Sequence, residues 1–135
     1  MKAALIAPCG MNCNVCRAVL DTSGRAKQCL GCRPRGKGCT YYGGMCAKLK
    51  NGEVRFCYEC DSFPCEKLKR LDKRYRTGYD YSFLEALAFI RDKGMDAHLA
   101  NEKKRWKCPE CGGTVCIHNR QCYDCGKGGK HKAKR

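Results

Sequence analysis

The hydrophobic positions in the middle of the chain recur at helical spacing. After Pro64, the residues Leu68, Leu71 and Tyr75 follow one another at intervals of three and four residues. This spacing places the three side chains on one stripe of a helix, and Gly78 marks its expected end. Lysines and arginines flank the stripe. The pattern therefore predicts an amphipathic helix with a basic outer surface.

A second helix is predicted to begin at Ser82, where Glu85 three residues later completes a capping box. The stretch FLEALAFI is apolar on nearly every face, which predicts a helix at the buried centre of the fold. Gly94 is a suitable stop for this helix. A third helix is predicted from about Met95 to Trp106. Its expected inward positions are Met95, Leu99 and Trp106.

Cysteine and glycine replace the apolar periodicity on both sides of this helical segment, which we bound at residues 66–106. Residues 1–65 hold eight of the 15 glycines and are expected to form loops, with a short strand over 3–7 and a short helix over 15–21. Residues 107–126 carry two C-x2-C pairs around the short strand TVCIH, and a basic tail follows over 127–135. We therefore expect a small, metal-stapled α+β fold. Its parts are an irregular cysteine-rich module, central helices and a C-terminal zinc-ribbon hairpin.

The cysteine content explains how so short a chain can fold. Fifteen of 135 residues are cysteine, and small domains with thin cores need staples of disulfide or metal. The apolar run from Ala3 to Ala7 is shorter than a secretory signal requires, and no stretch approaches the roughly 20 residues of a membrane span. We expect a cytoplasmic protein with no membrane partner, where thiols stay reduced and bind metal.

The last two C-x2-C pairs predict a zinc site. CPECGG and CYDCGK each place a glycine directly after the pair, where it permits a turn with positive φ. Two such turns across a hairpin offer four thiolates in the tetrahedral arrangement that zinc prefers. The predicted ligands are Cys108, Cys111, Cys122 and Cys125. Cys116 on the strand between the pairs is expected to be a small core thiol, with an alternative ligand as the competing interpretation.

The ten cysteines of residues 1–65 suffice for two further four-thiolate sites. One predicted site consists of Cys13, Cys16, Cys29 and Cys32. The other combines the pair Cys57 and Cys60 with the single cysteines Cys39 and Cys46. Cys9 and Cys65 are left over and are alternates for any of these positions. The chain is thus expected to bind about three zinc ions. An iron–sulfur cluster is the alternative for this module, because cysteine spacing does not separate the two.

No motif specifies a catalytic site. Cys9, Cys13 and Cys16 have the C-x3-C-x2-C spacing with which radical enzymes hold a [4Fe-4S] cluster. Those enzymes use barrel-like α/β folds, and a full barrel takes roughly 250 residues. Further cysteine pairs follow Cys16 here instead of βαβ units. A Walker loop, a G-x-G-x-x-G motif and an HExxH motif are missing from the sequence.

Three motifs of the first half carry a family resemblance. APCGMNCNVC, CLGCR and FCYECDSFPCEKLKRLDKRYRTGY together resemble an uncharacterised prokaryotic family of small cysteine-rich proteins. The pattern of that family is CGxxCxxC, then CxGCR, then FCYECxxFPC running into a basic helix. The resemblance covers roughly residues 7–76. It implies a metal-binding module and says little about an activity.

The charge of the chain indicates a polyanionic partner. The formal net charge is +15, and three four-thiolate zinc sites would lower it only to about +9. The basic residues concentrate in the first predicted helix, at the end of the third and in the tail. The candidates for phosphate contact are Lys67, Arg70, Lys73, Arg74, Lys103, Lys104, Arg105, Lys107, Lys127, Lys130, Lys132, Lys134 and Arg135.

These features predict a zinc-binding, basic, non-catalytic protein that associates with RNA or the ribosome. Two alternatives stay open at this point. One is an iron–sulfur redox protein or small enzyme that uses the N-terminal cysteines. The other is a structural adaptor that binds protein partners.

Overall fold

The fold is mostly helical. A computed structural model describes residues 1–24, 28–31, 48 and 53–127. The helices are α1 (Arg17–Leu20), α2 (Glu66–Tyr79), α3 (Phe83–Lys93) and α4 (Met95–Arg105). Short 3-10 turns cover Ala3–Leu5, Cys13–Val15 and Cys57–Glu59. No helix among the described residues is long and apolar enough to cross a membrane.

Helix α2 confirms the predicted amphipathic helix. Leu68, Leu71 and Tyr75 are buried, as their spacing predicted. Asp72 is buried beside them, and its carboxylate accepts hydrogen bonds from the Ser82 hydroxyl at 2.8 Å and the Leu84 N–H at 3.0 Å. Both donors belong to the start of α3, where a negative charge is favoured by the helix dipole. Asp72 therefore joins α2 to α3.

Helix α3 begins and ends where the sequence predicted. The Ser82 side chain accepts a hydrogen bond from the Glu85 N–H at 3.2 Å, and Gly94 follows the last turn with φ of 90°. Phe83, Leu87 and Ile90 are buried. The glycine at position 10 packs against this helix with φ of 96°, and a Cβ atom there would lie 2.9 Å from the Phe83 carbonyl oxygen. Only glycine fits that approach without displacement.

Helix α4 buries two polar residues in addition to the predicted apolar positions, of which Trp106 is 1% exposed and Met95 and Leu99 pack against the core. Met95 and Leu99 are only partly buried, whereas His98 and Glu102 are each 3% exposed. The Glu102 carboxylate accepts hydrogen bonds from the Tyr81 hydroxyl at 2.8 Å and from the Asn12 side-chain amide at 3.3 Å. These bonds satisfy the carboxylate inside the fold, so the inward side of α4 includes a polar pair that periodicity alone did not predict.

The first residues form turns where a strand was expected. Ala3–Leu5 is a 3-10 turn, and a single antiparallel bridge between Ile6 and Asn12 follows it. The strand prediction for residues 3–7 was wrong because the chain turns back at once, with the Ala7 N–H bonded to the Met11 carbonyl at 2.8 Å.

The predicted helix over residues 15–21 is shorter than expected. It contains the single-turn α1 (Arg17–Leu20), which directly follows the 3-10 turn Cys13–Val15. Asn12 caps that turn, because its side-chain oxygen accepts the Asn14 N–H at 3.0 Å. Cys16 follows with extended backbone, at φ of −75° and ψ of 134°, and this residue separates the 3-10 turn from α1.

The C-terminal segment pairs with itself through isolated bridges. Lys107 bridges Thr114, and Val115 bridges Cys122, both antiparallel. Among the described residues these bridges stand outside regular strands, so the zinc-ribbon hairpin stays a prediction. The segment is anchored by Trp106, which is 1% exposed and whose carbonyl accepts the Val115 N–H at 2.8 Å.

Candidate metal centre

Four cysteines of the C-terminal segment bring their sulfur atoms together. The Sγ atoms of Cys108, Cys111, Cys122 and Cys125 all lie within 4.8 Å of one another. Cys108 and Cys125 are 3.8 Å apart, and Cys111 and Cys122 are 3.5 Å apart. The four residues that the C-x2-C spacing singled out are therefore close enough to hold one metal ion.

Each half of this centre is a tight turn closed by a glycine. The Gly112 N–H donates to the Cys108 carbonyl and the Gly126 N–H to the Cys122 carbonyl, both at 2.9 Å. The two glycines have φ of 77° and 76°, values that side chains rarely adopt. This matched geometry points both sulfurs of each pair toward the other pair.

Backbone amides point at the sulfurs of this centre. The Cys111 Sγ accepts the Gly113 N–H at 3.3 Å, and the Cys122 Sγ accepts the Asp124 N–H at 3.4 Å. Each donor is the amide two residues after the cysteine. Because an N–H group stabilises the charged thiolate over the thiol, these turns are prepared for a bound cation.

The thiols of the centre differ in pKa. Backbone N–H groups of Cys111 and Glu110 lower the pKa of Cys108 to about 7. At Cys111 the Gly113 N–H favours the thiolate, but hydrogen bonds among the clustered thiols and burial raise its pKa to about 12. One thiolate in the cluster thus opposes ionisation of its neighbours. A divalent cation would replace the remaining protons, which is how thiolate sites couple metal binding to proton release.

The N-terminal cysteines that the structure describes occupy two similar turns. Cys13 and Cys57 each begin a 3-10 turn, and the N–H groups of Cys16 and Cys60 donate back to their carbonyls at 3.2 and 3.1 Å. Among the described residues no three of these N-terminal sulfurs lie within 4.8 Å of one another. Cys32, Cys39 and Cys46 fall outside the described residues, so the grouping into two N-terminal sites stays a prediction.

The remaining described cysteines are thiols in or beside the core. Cys9 is buried, and Cys65 is partly buried at the residue before α2. Cys116 is fully buried, which is compatible with a core thiol and with a buried ligand. No disulfide joins any pair of the described cysteines.

His118 is a structural side chain, since both of its ring nitrogens are engaged. Its Nδ1 accepts the Arg17 N–H at 3.3 Å, and its Nε2 lies 2.9 Å from the Tyr75 hydroxyl oxygen. Burial, reinforced by the positive charge of Arg17, lowers the pKa of His118 to about 4. The neutral imidazole therefore connects the N-terminal turn, α2 and the C-terminal segment.

Two arginines close the C-terminal end of α2. Arg105 donates to the Asp80 carbonyl at 2.6 Å, and Arg120 donates to the Tyr79 carbonyl. Both guanidinium groups also lie over the Trp106 ring, at 5.1 and 4.8 Å from its centre. Positive charges at these carbonyls are stabilising, because the C-terminal end of the helix dipole is negative. Arg105 was predicted to contact phosphate, and its guanidinium is engaged in this cap. Sequence reasoning missed Arg120, which lies in a loop without helical periodicity.

The other predicted phosphate contacts differ in their surroundings. Lys127 forms an exposed ion pair with Glu110 at 3.4 Å, and Lys67 is partly buried. The exposed members are Arg70, Lys73, Arg74, Lys103, Lys104 and Lys107. The tail residues Lys130, Lys132, Lys134 and Arg135 lie outside the described residues.

A polar cavity between α3 and α4 was also missed. Its volume is about 160 Å³, and His98, Glu102, Tyr81 and Phe89 are among the residues that line it. Neither ring nitrogen of His98 has a hydrogen-bond partner among the described residues. The available signal was the spacing of His98 and Glu102, four residues apart, which places both on one face of a helix.

Comparison with known proteins finds a similar family only for the first half of the chain. Residues 5–70 match the sequence model of a family described as a protein of unknown function (DUF3795). The matched range agrees with the predicted resemblance to an uncharacterised family and ends well before Cys108. No curated protein and no solved structure matches the chain.

Proposed function

We propose that the protein binds zinc through Cys108, Cys111, Cys122 and Cys125 and that the ion has a structural role. The observation that carries the proposal is the mutual distance of at most 4.8 Å among the four sulfur atoms. Zinc favours four thiolates in a tetrahedral set, and such closed sites leave no open position for substrate. The proposed ion therefore holds the C-terminal segment together and is called the staple below.

The staple would act on a segment with little regular structure of its own. Between Lys107 and Lys127 the described backbone pairs through isolated bridges. A structural zinc site in a small module typically supplies folding energy directly. Zinc would hold this segment in place so that Arg120 can cap α2 and Trp106 can stay covered.

We also propose that the exposed basic surface of the helices binds RNA. Arg70, Lys73 and Arg74 on α2 and Lys103 and Lys104 on α4 are exposed, and none of them forms an ion pair with a described residue. Such side chains supply phosphate contacts whose affinity falls steeply with salt and depends little on base sequence. Association with the ribosome would be one instance of this binding.

Metal analysis of the anaerobically purified full chain tests the first proposal. We expect a colourless protein that contains zinc. A brown protein with absorbance near ~400 nm and no zinc would overturn it in favour of the iron–sulfur alternative.

Titration of a fluorescent single-stranded RNA at two salt concentrations tests the second proposal. We expect binding at ~50 mM salt that weakens by at least tenfold at ~200 mM. Absence of binding at the lower concentration would overturn it and would favour the alternative of a protein adaptor.

A further inference from the structure

Hydrogen bonds between the two ends of the chain bring together cysteines that the four-cysteine centre does not use. The Ile117 N–H donates to the Val15 carbonyl at 3.0 Å, so the residue before Ile117 lies beside the residue after Val15. The Cys29 N–H donates to the Ala18 carbonyl at 2.8 Å, which brings a third cysteine to the same place. The cysteines concerned are Cys16, Cys29 and Cys116.

The sulfurs of these residues have the same amide contacts as the four-cysteine centre. Cys116 Sγ accepts the His118 N–H at 3.3 Å, and Cys29 Sγ accepts the Gly31 N–H at 3.4 Å. In both cases the donor is the amide two residues after the cysteine. Two sulfurs of the first centre accept the equivalent amide at 3.3 and 3.4 Å. The backbone at this second cluster is thus arranged to stabilise thiolates.

The thiol of Cys16 interacts electrostatically with Cys29 and Cys116. Burial raises its pKa to about 11, and the charges of Cys116 and Cys29 contribute to the rise, although the N–H groups of Ala18 and Val19 favour its thiolate. Cys116 itself is fully buried. All three sulfurs therefore lie beside backbone N–H groups, and in each case the amide two residues later is a donor. This arrangement suits thiolates that bind a divalent metal ion.

We infer that Cys16, Cys29 and Cys116 bind a second divalent metal ion that prefers thiolate ligands, as zinc does. This ion joins the N-terminal turn to the C-terminal segment. Three thiolates and one further ligand complete the usual tetrahedron. His118 is not that ligand, because both of its ring nitrogens are engaged. The three sulfurs do not all lie within 4.8 Å of one another, so binding draws them together.

This site is independent of the proposed four-cysteine centre. It also assigns to Cys116, which lies outside the matched residues 5–70, a ligand role shared with cysteines inside them. The metal would add metal–sulfur bonds to the backbone and imidazole hydrogen bonds that connect the N-terminal turn to this segment.

Counting bound zinc by native mass spectrometry of the full chain tests the inference. We expect Cys116→Ala and Cys16→Ala each to lose one zinc ion, and the double variant to lose one as well, because both residues serve the same ion. The pair Cys111→Ala and Cys116→Ala should lose two ions, since they belong to different sites. Ile117→Ala is the matched control, because it removes more buried volume than Cys116→Ala and no thiol; we expect it to keep the full count.

The variant of Cys16 keeps the test valid if Cys116→Ala fails to fold. Cys16 is only partly buried, so its truncation should leave the helical circular dichroism unchanged. An unchanged zinc count in folded Cys16→Ala or folded Cys116→Ala would overturn the inference. Loss of two ions in the Cys16→Ala, Cys116→Ala double variant would also overturn it, since the residues would then serve separate ions. The zinc count of the single variant Cys111→Ala tests the four-cysteine centre. Either proposal can therefore be overturned while the other stands.

Discussion

The Tyr75 hydroxyl oxygen and the His118 Nε2 lie 2.9 Å apart, which connects α2 to the loop between the two halves of the metal centre. Because Nδ1 of the same ring accepts the Arg17 N–H, the proton of the neutral imidazole resides on Nε2 and is donated to Tyr75. The two aromatic rings also meet edge to face, with centroids 5.8 Å apart. The His118 side chain thus connects α2, the N-terminal turn and the C-terminal segment.

Tyr75→Phe should destabilise the fold by about 1–2 kcal/mol, because it removes the acceptor for the partly buried Nε2 proton while it keeps the ring. Urea denaturation followed by circular dichroism measures the change. Tyr79→Phe is the matched control, since Tyr79 contacts the same imidazole through its ring, with centroids 5.1 Å apart. We expect the control to change the free energy of unfolding by less than about 0.5 kcal/mol. Equal effects of the two substitutions would contradict this account of the link.

Glu102→Leu should be more damaging than Glu102→Gln. Leucine leaves the Asn12 amide without this acceptor and the Tyr81 hydroxyl with only a 3.4 Å contact to the Gly10 carbonyl. We expect a loss of about 2–4 kcal/mol for leucine and roughly half of that for glutamine, which keeps one acceptor oxygen. Thermal unfolding of both variants checks the order. A glutamine variant as unstable as the leucine variant would show that charge, rather than hydrogen bonding, matters here.

The stability of the native chain should fall in mild acid in part because of His98. Burial lowers its pKa below the ordinary value of 6.5, while the Glu102 carboxylate acts in the opposite direction. The unfolded chain therefore takes up a proton as pH falls below about 6.5 before the folded chain does, and folding stability is lost until the folded pKa is passed.

His98→Leu isolates this contribution from the protonation of the thiolates. At pH 7.5 we expect the variant to be as stable as the native chain or more stable, by up to about 1 kcal/mol, because it removes two unpartnered ring nitrogens. Between about pH 6.5 and 5 it should lose less stability than the native chain. Parallel pH profiles for the two proteins would contradict the prediction.

Removal of three charges from α2 should weaken RNA binding and reduce its salt dependence. We expect the triple variant Arg70→Ala, Lys73→Ala and Arg74→Ala to raise the dissociation constant by roughly tenfold or more and to lower the salt slope by about 2–3. Fluorescence anisotropy at several salt concentrations measures both. Arg91→Ala is the control, because its guanidinium already pairs with Asp92 at 3.0 Å. Because the control removes one charge and the triple variant removes three, a change in the logarithm of the dissociation constant one third as large in the control would mean that only the overall charge matters.

The sequence predicted the elements whose signals are local. The stripe of Leu68, Leu71 and Tyr75 and the cap at Ser82 are set by residues three or four apart, and both are confirmed. The proximity of the four cysteines in the C-terminal segment was predicted for the same reason, because the two C-x2-C turns carry their own geometry.

Features that depend on distant partners were missed or misassigned. Glu102 is buried because Tyr81 and Asn12 satisfy it, and Asn12 is far away in sequence. Periodicity treats such a carboxylate as a surface residue, so the inward side of this helix was predicted from its apolar residues alone. The arginine caps on α2 likewise depend on loop positions that no repeating pattern marks.

The most direct test of the metal centre is the zinc content of the full chain in which Cys111 and Cys125 are replaced by alanine. Both residues are exposed, so their loss removes ligands without removing core packing. We predict that this double variant binds one zinc ion fewer than the native chain and that the fluorescence of Trp106 reports a more exposed ring. The same zinc content in the variant and the native chain would contradict the proposed centre.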